Sequence, residues 1–273
     1  MTRITKDTRL CMSLSARPGN HGTRFHNFLY EELGLNYVYK AFSTTDLPAA
    51  IGGIRALGIR GCAISMPFKE ACIPLVDELM PSAAAIQSVN TIVNDDGVLR
   101  AYNTDYTAVE TLIAQYRLNP DMRLVLRGSG GMAKAVASAF RDAGFRNGTI
   151  VARNAVAGPE LARISGFDWR AEAGGLDADL LVNVTPIGMA GGEDADALAF
   201  TEAAVDRAEA VFDVVALPPE TPLVRMARAK GKVVIAGDEV IALQAVAQFE
   251  LYTGVRPTDD QFRRAREFAA QPA

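Results

Sequence analysis

The amino-acid sequence predicts an α/β protein of two domains, an N-terminal α/β domain followed by a domain with a doubly wound parallel sheet. Two observations predict this fold class. Strand-length apolar runs alternate with helical-period stretches, and a glycine-rich turn joins a strand to a helix near the middle of the chain. A chain of 273 residues is long enough for two domains, each with its own core. We expect the first domain at residues 1–102 and the second at residues 103–237, with residues 238–273 returning to the first.

The first domain begins with three predicted strands that are separated by helices, the order that builds a parallel sheet. The strands are predicted at Leu10–Leu14, Tyr37–Phe42 and Cys62–Ser65, and the helices at Thr23–Leu33 and Leu47–Leu57.

A β-hairpin is predicted next, because Asp95-Asp96-Gly97 separates two apolar runs and an Asp-Gly turn is a strong hairpin signal. The two runs are Ser88–Val93 and Val98–Tyr102. A helical pattern from Thr104 to Tyr116 then begins the second domain.

Strands and helices alternate again through the second domain, as expected of a Rossmann-type fold. Two helices close the chain, one at Val240–Leu251 and one that begins after the polar cap Thr258. The elements that precede these two helices are strands at Leu124–Arg127, Thr149–Ala152, Leu180–Val184, Ala210–Val215 and Lys232–Ala236, with helices at Met132–Ala143, Pro159–Ile164 and Leu223–Ala229.

The composition excludes several classes of function. The net charge is −4, and the basic residues are scattered without interleaved aromatic residues, so no nucleic-acid partner is expected. No stretch approaches the roughly 18 apolar residues that span a bilayer, so no membrane partner is expected. Three cysteines without CxxC spacing are expected to be reduced, in a cytoplasmic protein, and two histidines without a ligand cluster predict no metal. A monomer or a homodimer is expected.

A glycine-rich loop follows the strand that ends at Arg127 and opens an alanine-rich helix. Glycines in this context allow a tight turn and the close approach of backbone N–H groups to a pyrophosphate, so the loop predicts a dinucleotide site. Glycines at such turns are also common for steric reasons alone. The predicted cofactor-binding residues here are Gly128, Ser129, Gly130, Gly131, Met132 and Ala133.

The end of the next strand predicts which dinucleotide is bound. Arg153 and Asn154 stand where an acidic residue would indicate NAD, and a guanidinium suits the additional phosphate of NADP. We therefore expect NADP, with NAD as the alternative. Another strand ends in a polar loop, in which Thr185, Gly188 and Met189 are predicted to contact the nicotinamide end of the cofactor; a simple loop terminator is the alternative.

A lysine and an aspartate complete the prediction of an alcohol dehydrogenase. Oxidation of a secondary alcohol requires hydride transfer to the nicotinamide and removal of the hydroxyl proton by a positioned acid/base. Lys69 follows a Pro turn and Asp105 opens a helix, so the two can form a charge pair in a cleft beside the cofactor. Either residue alone is more often a solvated lysine or a helix cap.

Over nearly its whole length the sequence resembles the shikimate dehydrogenase family, and its shikimate dehydrogenase-like branch in particular. The resemblance rests on several motifs in the family's order and spacing. These are Ala63-Ile64-Ser65-Met66-Pro67-Phe68-Lys69, Val89-Asn90-Thr91, Asn103-Thr104-Asp105, the glycine loop, the segment from Asn183 to Met189, and Gln244-Ala245.

The resemblance implies roles for individual residues. Lys69 and Asp105 would be the catalytic pair, while Asn90, Asp105 and Gln244 would hold ring hydroxyls of a small-molecule substrate. Ser13 and Ser15 match a Ser-x-Ser segment that binds the substrate carboxylate, Ser65 matches the threonine of the lysine motif, and Gly237 falls where the family approaches the nicotinamide.

The sequence also departs from the family pattern. The loop after Ser15 is longer and carries Arg17 and Arg24, which are candidates to reach the carboxylate; a surface position is the alternative for both. Ala216 stands in the place of the family's substrate-facing tyrosine. The resemblance therefore implies an NADP-dependent interconversion of shikimate and 3-dehydroshikimate with low activity. A quinate or aminoshikimate-type dehydrogenase, or a non-catalytic protein that binds NADP or a metabolite, is the alternative.

Overall fold

A computed structural model describes residues 4–172 and 174–271. The chain divides into two compact units. The first takes in the described residues up to Thr104 together with those from Ala245 onward, and the second runs from Asp105 to Gln244. The divisions therefore fall at 104 and 244, rather than at the expected 102 and 237.

The first unit contains a six-stranded mixed sheet with the order β2-β1-β3-β5-β6-β4. Strand β1 is parallel to both β2 and β3, whereas β5 runs antiparallel to β3 and β6. The strands are β1 (Arg9–Leu14), β2 (Tyr37–Phe42), β3 (Gly61–Ile64), β4 (Glu78–Leu79), β5 (Thr91–Asp95) and β6 (Val98–Tyr102).

Both faces of this sheet are buried. Successive residues of a strand point to opposite faces, and accordingly Met12 packs in one apolar cluster with Ile51 and Ile92, whereas Cys11 packs in another with Phe25 and Phe249. The helices here are α1 (His21–Glu32), α2 (Leu47–Ala56), α3 (Phe68–Ala71) and α4 (Pro81–Ala84), with a 3₁₀ turn at Ile73–Leu75.

The second unit contains a six-stranded parallel sheet with the order β12-β11-β10-β7-β8-β9, a doubly wound arrangement. Its strands are β7 (Leu124–Arg127), β8 (Gly148–Val151), β9 (Asp168–Arg170), β10 (Leu180–Asn183), β11 (Ala210–Asp213) and β12 (Val233–Ile235). The remaining helices are α5 (Thr104–Gln115), α6 (Gly131–Asp142), α7 (Ala157–Ser165), α8 (Glu202–Arg207), α9 (Pro222–Ala229), α10 (Gly237–Thr253) and α11 (Asp259–Ala270).

Local hydrogen bonds explain where the units divide. The side chain of Asn103 donates to the carbonyl of Ser88, and the N–H of Thr104 donates to Asn90, so both residues are fixed to the first unit although they follow the hairpin. The second division lies inside α10, which continues without a break from Gly237 to Thr253.

The predicted cap of the last helix is observed. Thr258 and Gln261 form a capping box, in which each side chain bonds the backbone N–H of the other residue. Within the described ranges, no helix is long and apolar enough to cross a membrane, and no group of three or more His, Cys, Asp or Glu side chains could hold a metal ion.

Candidate active site

Five of the predicted substrate and catalytic residues of the first unit lie at one edge of its sheet. Ser13 is the penultimate residue of β1, and Ser15 follows that strand. Ser65 follows the parallel strand β3, and Asn90 precedes β5, which runs in the opposite direction. The fifth, Lys69, is reached from Ser65 through a short turn. The carboxyl ends of β1 and β3 and the start of β5 therefore present hydroxyl and amide groups at the same edge.

Lys69 is held next to Asn90 by the backbone. The turn before it is closed by the N–H of Phe68, which donates to the carbonyl of Ser65 at 2.9 Å. The carbonyl of Lys69 accepts the N–H of Val89 at 2.8 Å, and Val89 directly precedes Asn90. The Lys69 side chain is half-buried.

The carboxamide of Asn90 is buried, with 4% of the residue exposed. Its Oδ1 accepts the N–H of Thr104 at 2.8 Å, the hydroxyl of Thr91 at 2.8 Å and the hydroxyl of Thr104 at 3.2 Å. Its Nδ2 has no hydrogen-bond partner among the residues that the structure describes. A buried donor without a partner is costly, so this amide is suited to donate to a ligand.

Ser13 has a neighbour that sequence reasoning missed. The hydroxyl of Ser13 hydrogen-bonds the phenol of Tyr39, and burial raises the pKa of that phenol. Tyr39 is only 2% exposed, so its OH group is a neutral partner that orients Ser13.

Arg24, one of the two arginines named as candidates for the substrate carboxylate, contacts the last helix. Its guanidinium donates to the carbonyl of Phe268 at 2.8 Å and lies over the ring of Phe268, 4.4 Å from the centroid. Arg24 therefore joins α1 to α11, because a cation over an aromatic face and a backbone carbonyl satisfy it there.

The glycine loop of the second unit lies between β7 and α6, as predicted. Gly128 has φ +131°, and a Cβ there would lie 2.8 Å from both the carbonyl oxygen and Cγ2 of Val184, so the fold itself requires glycine. Among the described residues, no atom lies within 4 Å of a Cβ placed at Gly130 or Gly131. The fold leaves open space over these two residues, in which a ligand can approach the backbone.

Of the remaining loop residues, Ser129 precedes the N-cap Gly130 of α6, and Met132 and Ala133 lie in its first turn. The N–H groups of that turn have no partners within the helix and favour an anion. These features fit the phosphates of a dinucleotide.

Arg153 and Asn154 are exposed immediately after β8, the neighbour of β7 in the sheet. The side-chain oxygen of Asn154 accepts the N–H groups of Val156 and Ala157, both at 2.9 Å. The side chain of Asn154 therefore shapes the turn into α7. The guanidinium of Arg153 is the group that suits a phosphate.

A buried polar network supports the loop after β10. Asn183 donates to Asp213 at 2.9 Å and accepts the hydroxyl of Thr185 at 2.6 Å, while Thr221 donates to Asp213 at 2.7 Å. Burial raises the pKa of Asp213. The network fixes the loop that carries Gly188, which is buried, and Met189, which is 41% exposed.

Gly237, the first residue of α10, is a second glycine that the fold requires. A Cβ at this position would lie 2.4 Å from the carbonyl oxygen of Val214, so no larger residue fits without backbone movement. Asp105 lies in the first turn of α5 and is the first residue of the second unit in sequence. Gln244 lies in α10 and is the last residue of that unit, and both side chains are half-buried.

Sequence reasoning also missed the residues behind Asn90. Gln248 and Thr91 are buried and hydrogen-bonded to each other at 2.8 Å, although 157 positions separate them in the sequence. No local motif marks Gln248, because its bond joins α10 to β5 across the fold.

Comparison with known proteins gives consistent relatives. Residues 21–92 match the model of the shikimate dehydrogenase substrate binding domain. The chain is 58% identical to a shikimate dehydrogenase-like protein of Haemophilus influenzae, over 97% of this chain and 98% of that protein. It is 34% identical to a shikimate dehydrogenase (NADP(+)) of Citrifermentans bemidjiense, over 88% of each chain. The crystal structure of Thermus thermophilus shikimate 5-dehydrogenase, in complex with NADP(H) and shikimate, matches with a TM-score of 0.82 and 30% identity, over 96% of this chain and 99% of that one.

Proposed function

The chain belongs to the shikimate dehydrogenase family, and we propose that it is an NADP-dependent oxidoreductase that interconverts shikimate and 3-dehydroshikimate. The observation that carries this proposal is the convergence of Ser13, Ser15, Ser65, Lys69 and Asn90 at one sheet edge. Hydroxyl and amide donors suit a polyhydroxylated acid, and the lysine beside them suits proton transfer.

We assign the proton transfer to Lys69. In the oxidation, the hydroxyl proton of the substrate passes to the Lys69 amine as the hydride leaves the carbon, and the same proton returns in the reduction. Asp105 is proposed to orient Lys69 and to hold a substrate hydroxyl together with Gln244. Ser13 and Ser15 are proposed to bind the substrate carboxylate, with Ser65 as a further hydroxyl beside the lysine.

The residues of the second unit fit a dinucleotide. Gly130 and Gly131 leave room for a phosphate at the start of α6, and Arg153 offers a planar set of donors to the 2′-phosphate that distinguishes NADP from NAD. Thr185, Gly188, Met189 and Gly237 are proposed to contact the nicotinamide end. Bound NADP supplies the hydride acceptor.

The experiment is a spectrophotometric assay of reduced nicotinamide, with shikimate and either NADP or NAD. We expect turnover with shikimate and a preference for NADP. Lys69→Ala is expected to lower kcat by about 10² or more, the usual contribution of a positioned acid/base. Lys40→Ala is the matched control in the same unit, because Lys40 is exposed and its Nζ lies over the ring of Phe42.

Unchanged turnover in a folded Lys69→Ala protein would overturn the assignment of the acid/base. Tight binding of NADP without turnover of shikimate or of related cyclic acids would instead favour a binding protein. A folded state can be checked independently by thermal unfolding, since the backbone bond between Lys69 and Val89 does not depend on the lysine side chain.

A further inference from the structure

A network of buried polar groups joins Asn90, through Thr91 of β5, to Gln248 of α10. The Nε2 of Gln248 donates to the hydroxyl of Thr91 at 2.8 Å, and that hydroxyl lies 2.8 Å from Oδ1 of Asn90. Gln248 is 5% exposed and Thr91 is fully buried. Because Asn90, Thr91 and Gln248 are all buried, each donor in the network must face an acceptor of the protein rather than water.

The direction of each hydrogen bond follows from the chemistry of its partners. The backbone N–H of Thr104 can only donate, so the atom of Asn90 that faces it is the oxygen. The Thr91 hydroxyl has one proton and accepts from Gln248, which leaves that proton to donate to Asn90. The amide nitrogen of Asn90 is then the group without a partner, and it is buried.

His26 lies next to Gln248, at the other end of this network. The Gln248 side chain is a hydrogen-bond partner that raises the pKa of His26, against the larger effect of burial. The His26 ring is held in place by stacking on Tyr39, with centroids 4.4 Å apart.

We propose that Gln248 is a positioning residue, which with Thr91 locks the Asn90 carboxamide so that its N–H group faces the substrate. The inference rests on the proposed function, in which Asn90 contacts the substrate. It also defines what Asn90 recognises. The substrate group at this position must accept a hydrogen bond, as a hydroxyl or carbonyl oxygen does, and a protonated amine at the same position is rejected.

The test reverses one hydrogen bond of the network. Gln248→Glu places an acceptor where Nε2 donated. The Thr91 hydroxyl then donates to the carboxylate, and its hydrogen bond to Asn90 is lost. Thr91→Val removes that hydroxyl, and Thr91→Ser restores it. We expect KM for shikimate to rise about tenfold in the Glu and Val variants, as for one lost hydrogen bond. KM for NADP should stay unchanged, and the Ser variant should lie within about twofold of the parent protein.

Thr253→Val is the matched control, because it removes a hydroxyl of the same helix whose hydrogen bonds are local: it donates to the carbonyls of Phe249 and Val255 and accepts the N–H of Val255. It should leave KM for shikimate unchanged. A folded Gln248→Glu protein with the parent KM for shikimate would overturn the proposal. So would equal losses in the Thr91→Val and Thr253→Val variants.

A second measurement does not depend on turnover. The side-chain amide of Asn90 can be followed by ¹⁵N-resolved NMR and assigned by its disappearance in Asn90→Asp. Its resonances should move in Thr91→Val and in Gln248→Glu, and stay in place in Thr253→Val. Absence of shikimate turnover in the parent protein would contradict the proposed function, whereas an unmoved Asn90 amide in both variants would contradict the role of Gln248.

Discussion

His26 makes the stability of the protein sensitive to mild acid. The ring is 2% exposed and stacks between Tyr39 and Phe249, with centroids 4.4 and 6.0 Å away. Burial lowers the pKa of His26 to about 3, against a bond to Gln248 that acts in the opposite direction. A histidine whose pKa is depressed by folding contributes stability that is present above its unfolded pKa and is lost as the pH falls below that value.

The size of the effect follows from the two pKa values. The unfolded chain binds a proton at this imidazole with a pKa near 6.5, whereas the folded protein resists protonation until about pH 3. Between about pH 7.5 and about pH 5.5 the unfolded state therefore gains nearly a full proton, and linkage lowers the free energy of unfolding by about 1.4 kcal/mol.

The assay is urea unfolding of the parent protein and of His26→Phe across this pH interval. Phenylalanine retains an aromatic ring between Tyr39 and Phe249 but does not titrate. His21, the other histidine, is present in both proteins, so its contribution cancels in the difference. The parent should lose about 1.4 kcal/mol more than the variant. Equal losses would show that His26 is not a buried neutral group, and the reasoning would be refuted.

Two further predictions concern the second unit. Gly128→Ala is expected to destabilise the protein by more than about 2 kcal/mol in urea unfolding, because of its positive φ and the clash with Val184. Gly130→Ala should leave the unfolding midpoint unchanged yet weaken NADP binding in a titration; an equally stable Gly128→Ala protein would contradict this distinction. Arg153→Ser is expected to raise KM for NADP about tenfold or more, as for one lost charged hydrogen bond, with little change in KM for NAD. Equal effects on both cofactors would show that Arg153 does not contact the 2′-phosphate.

The fold class is confirmed, and the elements that carry strong periodicity were predictable. The prediction missed short elements such as β4, β9 and α8. In β9, Asp168 and Arg170 are exposed, and the strand is held by pairing with β8 and by the indole of Trp169, which donates to the carbonyl of Ala152. A strand of three residues is too short for its alternation of polar and apolar side chains to be distinguished from a loop, and its pairing partner comes from elsewhere in the chain.

The candidate site was predictable where its residues form local motifs. The glycine loop and the segments around Lys69 and Asn90 are contiguous, and each can be recognised from its own residues. Gln248 and Tyr39 could not be found in this way, because their roles depend on Thr91 and Ser13, which are distant in sequence. Partners of this kind are set by sheet register and helix packing, which only the folded chain brings together.

Tyr39 does not compensate for the missing phenol at Ala216. Its OH group is buried and hydrogen-bonded to Ser13, so it orients a serine and is not itself exposed to a ligand. The guanidinium of Arg24 is likewise bonded to the carbonyl of Phe268. The proposed substrate would therefore be held by fewer groups than the family motif provides. Since each lost hydrogen bond costs about 1 kcal/mol or more, slow turnover of shikimate is the consequence we expect from this set of side chains.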